Sequence, residues 1–238
     1  MKIPLSEISQ YKKPYLSTLS FEKFIQNNIF NSQKIIDLGC GSGGQLSWFS
    51  KKYPQVNFVG VDYNKRLIKF AKKTYSKLKI INTKFCFANI LNKKINPFLL
   101  NADGFISNHV FCTFKDIKYP LNFIFKHKPK WIAINSLFYD GPLDVLIHIR
   151  SYKKNKKILK DSNPDGDFNI FSIPILKSII KNKYKIVKIE QHFPKNKIKK
   201  NSSKRSSYTI VTEINKNTVF SGPVHLPWYF ILLKKINS

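Results

Sequence analysis

Ile35-Ile36-Asp37-Leu38-Gly39-Cys40-Gly41-Ser42-Gly43-Gly44 constrains the fold more than any other stretch of this chain. A short apolar run meets an acid and then breaks into a glycine-rich turn. Leu46, Trp48 and Phe49 follow among polar residues, which reads as a helix. Strand, glycine turn and helix form the βα unit on which open α/β sheets seat their ligands. Glycine suits that turn because the chain must bend tightly and something must approach its backbone closely.

Gly39, Gly41 and Gly44 match G-x-G-x-x-G, a pattern too common to decide anything alone. Asp37 is the discriminating residue. A dinucleotide lays its pyrophosphate over the turn, on the amides of the following helix. A carboxylate at the strand end repels those phosphates. S-adenosylmethionine carries no phosphate, and its ammonium and sulfonium both favour a nearby anion. Asp62 stands 25 residues after Asp37, at the end of the next apolar run, where an acid accepts from both ribose hydroxyls. That acid serves an NAD site equally well.

The run Asp37-x-Gly39-x-Gly41-x-Gly43 resembles the first motif of class I S-adenosylmethionine-dependent methyltransferases, and the resemblance extends over most of the chain. It implies S-adenosylmethionine as cofactor and S-adenosylhomocysteine as product. In that family the loop after strand three often carries an acid that accepts from the adenine amino group. The matching residue is Asn89, whose amide oxygen accepts the same bond without charge assistance. Ile90 would pack on the adenine ring, and Ser107 would sit after strand four beside the cofactor.

Along the chain, residues 14–30 have the apolar spacing of an amphipathic helix. Strands are expected at 34–38, 56–62, 85–88, 102–107 and 131–136, with helices at 44–53, 64–77 and 116–127. This alternation predicts an α/β fold with a doubly wound, mostly parallel, seven-stranded Rossmann-like sheet. Residues 137–170 interrupt the pattern with a turn at Tyr139-Asp140-Gly141-Pro142 and a helical stretch holding Asp144, His148 and Arg150. They read as a substrate cap. A helix at 172–181, strands at 184–192 and 208–214, a basic loop at 195–207, a hairpin return at 218–221 and a short apolar helix at 226–233 complete the expectation. The length of 238 residues suits one domain, 1–238, with 1–30 as a helical preface.

The formal charge of +29 suggests a nucleic-acid surface. However, only three of the 42 basic residues are arginine, the side chain that makes bidentate contacts to phosphate and guanine. The joint abundance of Lys, Asn, Ile and Phe is what AT-rich coding supplies, so much of the charge reads as solvated surface. The balance still favours an anionic substrate and disfavours nucleic acid as the partner. No apolar run reaches the roughly 18 residues of a membrane span, and residues 1–10 lack a signal-peptide core. Cys40, Cys86 and Cys112 show no metal-ligand spacing, which fits a cytoplasmic setting without disulfides or metal.

His109 follows strand four, where the transferred methyl is expected. It reads as a general base on an acceptor hydroxyl, or as a loop histidine that lines the site. No Asn/Asp-Pro-Pro-Tyr/Phe run marks amino methylation of nucleic-acid bases, and Cys112 lacks a preceding proline or threonine and reads as core. Asp140 is a base, an orienter of His109, or a turn residue. Tyr139 and His148 are the substrate-binding candidates. Residues 136–143, taken with Phe220-Ser221-Gly222-Pro223 and Pro227-Trp228-Tyr229-Phe230, resemble a narrower group. These are methyltransferases of bacterial capsule and surface-polysaccharide clusters, some linked to O-methyl phosphoramidate decoration. That resemblance implies a phosphorylated or nucleotide-linked glycan precursor as acceptor.

Overall fold

The computed structural model describes residues 8–90, 99–149, 166–192, 209–211, 219–221, 224–225 and 228–236. Helix α1 (Leu16–Ile25) precedes β1 (Lys34–Leu38), α2 (Gly44–Lys52), β2 (Asn57–Asp62), α3 (Lys65–Lys77) and β3 (Thr83–Phe87). Then come β4 (Gly104–Asn108), α4 (Lys118–Lys126) and β5 (Trp131–Tyr139). Short strands β6 (His148–Ile149), β7 (Gly166–Asp167) and β8 (Phe171–Ser172) lead into α5 (Ile173–Ile180) and β9 (Tyr184–Gln191). The remainder is β10 (Thr209–Val211), β11 (Val219–Ser221), β12 (Val224–His225) and β13 (Trp228–Lys235).

The main sheet runs β3-β2-β1-β4-β5-β13-β9, with β8 added beside the far end of β5. The first five strands are parallel, and β13 lies antiparallel between β5 and β9. Both faces are covered, so each strand reads as a continuous apolar run, and successive residues feed opposite layers. Ile36, Leu38, Phe105 and Ile134 join one layer with Leu121 and Ile124 of α4 and Leu176 of α5. Ile35, Phe58, Ile106 and Ala133 join the other with Phe21 and Phe24 of α1, Phe49 of α2 and Ile68 of α3. Helix α3 starts because the Asn64 side chain accepts from the amides of Arg66 and Leu67. Ser172 caps α5 by accepting from Ile175 N, with a proline in the first turn.

The predicted parallel core stands, with β5 running three residues further than expected, to Tyr139. Two expectations fail. The apolar stretch 226–233 was expected as a helix, but Trp228–Lys235 is a strand buried between two neighbours. A short run apolar on both faces fits a central strand as well as a buried helix, and periodicity alone does not separate them. The helical stretch expected around Asp144 and His148 is extended instead: Val145 bridges Ile170, and β6 pairs with β7. The middle of the expected cap, 150–165, and the basic loop at 195–207 lie outside the described residues.

Candidate functional site

The glycine turn adopts the conformation its composition predicts. Gly39, Gly41 and Gly43 have φ of 79°, 55° and 88°. Gly39 is also sterically confined: a Cβ there would fall 2.3 Å from a Val110 methyl carbon. Gly39 N and Cys40 N both donate to Val61 O, at 2.8 and 3.0 Å, which docks the turn on the end of β2. On the other side, Tyr75 OH donates to Gly43 O at 2.7 Å, and Tyr11 OH donates to Ser42 O. Gln10 packs on Gly44, so residues 10 and 11 lie across the turn.

Asp37 and Asp62 flank this turn from the carboxyl ends of β1 and β2, and both are buried. Asp62 Oδ2 accepts from Gly41 N at 2.9 Å and Oδ1 from Asn64 N at 2.8 Å. It therefore shapes the turn as well as facing it. Asp37 is held more loosely, with Gln45 Nε2 at 3.5 Å from each of its oxygens. Burial, followed by repulsion from Asp62, raises its pKa to about 8 against a weak opposing bond from Gln45. Two acids crowded at one turn form a site for a cation or for hydroxyl donors and reject phosphate.

A relay of amides leads away from Asp37. Asn108 Nδ2 donates to Gln45 Oε1, and Asn135 Nδ2 donates to Asn108 Oδ1. Every donor points toward Asp37, and Asn135 Oδ1 at the far end is buried without a partner. Asn135 also accepts through its backbone oxygen from His109 N at 2.8 Å. Thus β1, α2, β4 and β5 are linked by one line of polar side chains beneath the site.

His109 follows β4 at φ 61°, with its ring 4.4 Å from that of Trp228. The residue as a whole is exposed. Crowding by protein and then the nearby His192 hold its pKa down, to about 4, although solvent around the residue works against that drop. The imidazole is neutral at pH 7 and able to accept a proton. Cys112, by contrast, is buried, and burial pushes its thiol up to about 12, as befits a core residue.

The other expected site residues divide. Ser107 is buried, and its hydroxyl donates to Leu38 O at 3.0 Å, which ties β4 to β1. Asn89 is exposed just after β3, and Ile90 packs partly into the core beneath it. Tyr139 and Asp140 are exposed at the end of β5. Asp140 lies near Tyr229, whose pKa is raised by burial and then by that carboxylate. No hydrogen bond or ion pair joins Asp140 to His109 among the described residues. His148 stands in β6 opposite Asp167, and only its backbone is described.

Gln45, Asn135, Trp228 and His192 were not expected here. Gln45 was legible as the residue after the glycine run. Asn135 was legible as a polar residue inside an apolar strand. Trp228 and His192 arrive together because His192 N donates to Trp228 O at 2.8 Å, a pairing that requires β13 to be a strand.

A family model described as a methyltransferase domain matches residues 29–210. The chain is 34% identical over 68 residues to the tRNA (guanine-N(7)-)-methyltransferase of Prochlorococcus marinus, covering 29% of this chain and 31% of that protein. It is 26% identical over 160 residues to the malonyl-[acyl-carrier protein] O-methyltransferase of Priestia megaterium, covering 65% of this chain and 55% of that one. The chain thus spans about a third of the first of these relatives and about half of the second. A solved S-adenosylmethionine-dependent methyltransferase of Aquifex aeolicus superposes with a TM-score of 0.56 at 13% identity, over 99% of this chain and 100% of that chain.

Proposed function

The chain belongs to the methyltransferase-domain family, and from that premise we propose that it transfers the methyl group of S-adenosylmethionine to a small anionic acceptor. One observation carries the cofactor assignment: Asp37 and Asp62 are buried on either side of a turn bent by three positive-φ glycines. Such a turn accepts an ammonium and a ribose and repels a pyrophosphate. Asp37 holds the ammonium end, Asp62 the ribose hydroxyls, and Asn89 with Ile90 the adenine. Ser107 keeps the ends of β1 and β4 in register beneath them.

The bound cofactor supplies a methyl already activated by its sulfonium, so the protein's task is alignment and exclusion of water. His109 and Trp228 form one wall of the acceptor site, and Tyr139 and Asp140 stand at its rim. Neutral His109 takes a proton from a hydroxyl or amine acceptor. An acceptor that is already anionic needs no base, and His109 then only aligns it. Segment 137–170 serves as the substrate cap, with His148 as one of its binding residues.

The resemblance to capsule-cluster methyltransferases supports a phosphorylated or nucleotide-linked glycan precursor as acceptor, made in the cytoplasm. A second reading, an RNA acceptor, is favoured by the local similarity to a tRNA methyltransferase. Titration calorimetry with S-adenosylhomocysteine and with NAD tests the cofactor: binding of NAD alone overturns it. Radiolabelled S-adenosylmethionine incubated with fractionated cell extract tests the acceptor. Label in small anionic molecules supports the first reading, and label in RNA replaces it with the second.

A further inference from the structure

The end of the sheet opposite the glycine turn holds a second concentration of chemistry. In the sheet register Asp37 is level with Ile106 and so with Ala133, which leaves this end, at Trp131, on the order of 10–15 Å from the turn. There a cleft of about 700 Å³ is lined by Lys130, Lys185, Lys234, Lys235 and Ile236. Its backbone is fixed: Lys235 N donates to Lys130 O at 2.9 Å, and Ile236 N to Lys183 O at 3.0 Å. The lysines therefore project from tied strand ends and not from a frayed tail.

The charge in this cleft is poorly balanced. Asp103 pairs with Lys130 at 2.8 Å and also accepts from Lys34 N at 2.9 Å. Lys185, Lys234 and Lys235 make no ion pair among the described residues. Lys185 and Lys234 are moreover directly opposite each other in the antiparallel β9–β13 register. Like charges facing across a ladder destabilise it unless an anion lies between them. Lys69, Lys72 and Lys73 of α3 are also exposed and also neighbours, at i, i+3 and i, i+4 on one helix, but they lie outside this cleft.

We propose that this cleft binds a run of consecutive phosphate groups. Lysine holds phosphate as a point charge without the directional fork of arginine, so affinity follows the charge density of the ligand. Lys185 and Lys234 side by side on one face, with Lys130 and Lys235 at the same strand ends, suit an oligophosphate better than a single carboxylate or phosphate. The run of phosphates comes either from a free polyphosphate or from the backbone of a single-stranded RNA.

The experiment is calorimetry of inorganic tripolyphosphate with the whole chain at moderate salt. The cleft variant K185Q/K234Q/K235Q is compared with K69Q/K72Q/K73Q, which removes the same charge from α3. One site per chain is expected, weakened at least about tenfold in the cleft variant and less than about threefold in the control. Equal weakening in both variants, or no saturable site, overturns the proposal, since only the diffuse field of the protein would then attract anions. K185Q alone should raise the melting temperature without ligand, because it relieves the facing charges; a lower melting temperature counts against the repulsion argument. A twelve-nucleotide RNA added as competitor separates the sources: displacement of tripolyphosphate assigns the cleft to RNA, and simultaneous binding assigns it to free polyphosphate.

Discussion

Burial and the neighbouring Asp62 raise the pKa of Asp37 to about 8, so in the free protein at pH 7 its carboxyl is mostly protonated. A cationic ligand prefers the ionised form. Binding of S-adenosylhomocysteine near neutral pH should therefore release up to one proton. Its affinity should fall as pH drops below 8, by at most about tenfold per unit. Calorimetry in buffers of different ionisation enthalpy reads that proton directly, and a value of zero at pH 7 removes Asp37 from the ammonium site. The same residue makes stability depend on pH. Its folded pKa lies above the ordinary aspartate value of 3.8, so the native state holds the proton longer than the unfolded chain. Stability is lost as pH rises from 4 toward 8. Asp37→Asn should thus stabilise the protein more at pH 8 than at pH 5 while weakening cofactor binding, as thermal melts at the two pH values will show. For His109, a pKa held down to about 4 moves the acid limb of a base-catalysed rate to that region. His109→Ala should lower the rate on a neutral acceptor by about 10²–10⁴ and leave S-adenosylhomocysteine affinity unchanged. An inflection near pH 6.5 in the wild type would show that the ring is not held neutral in the way its surroundings imply.

Among the elements, β13 changes the picture most. It brings Trp228 to the site and places Phe230, Ile231, Leu232 and Leu233 in the two core layers. Ile231 is fully buried. Ile231→Ala should cost about 2–5 kcal/mol, measurable by denaturant unfolding, where a helix packed loosely on the surface would lose far less. The parallel half of the fold was legible because its signals are local. A glycine turn at Gly39–Gly43, an acid ending β2, and an asparagine cap at Asn64 each act within a few residues. Asp37 and Asp62 were legible for the same reason. The antiparallel strand was not, because a run that is apolar on both faces carries no period to separate strand from helix. The relay through Gln45, Asn108 and Asn135 was hidden for a different reason: it exists only after three elements distant in sequence are brought together. Asp140 itself follows β5, whose end lies at the exposed rim.

Over the whole chain, acidic residues are too few to balance the lysines, and most lysines among the described residues are exposed. A charge of +29 on 238 residues repels itself. The melting temperature should rise between about 0.01 and 0.15 M salt, as the screening length falls from about 30 to about 8 Å. Sulfate or phosphate should raise it further than chloride at equal ionic strength if the lysine cleft holds anions. A flat response would mean that the charges are already neutralised in place. The order in which the strands are made matters as well. The gap between β5 and β9 is filled by residues 228–235, which leave the ribosome after both neighbours. Until then β5 has an unpaired edge, long and apolar, of the kind that recruits strands from other chains. Pairing of Trp228 with His109 is therefore a late event of synthesis, and premature termination before Trp228 would yield a chain with its parallel half assembled and an adhesive edge exposed. Such truncated products should collect in inclusion bodies, and a β13 peptide supplied in trans is the natural reagent to rescue them.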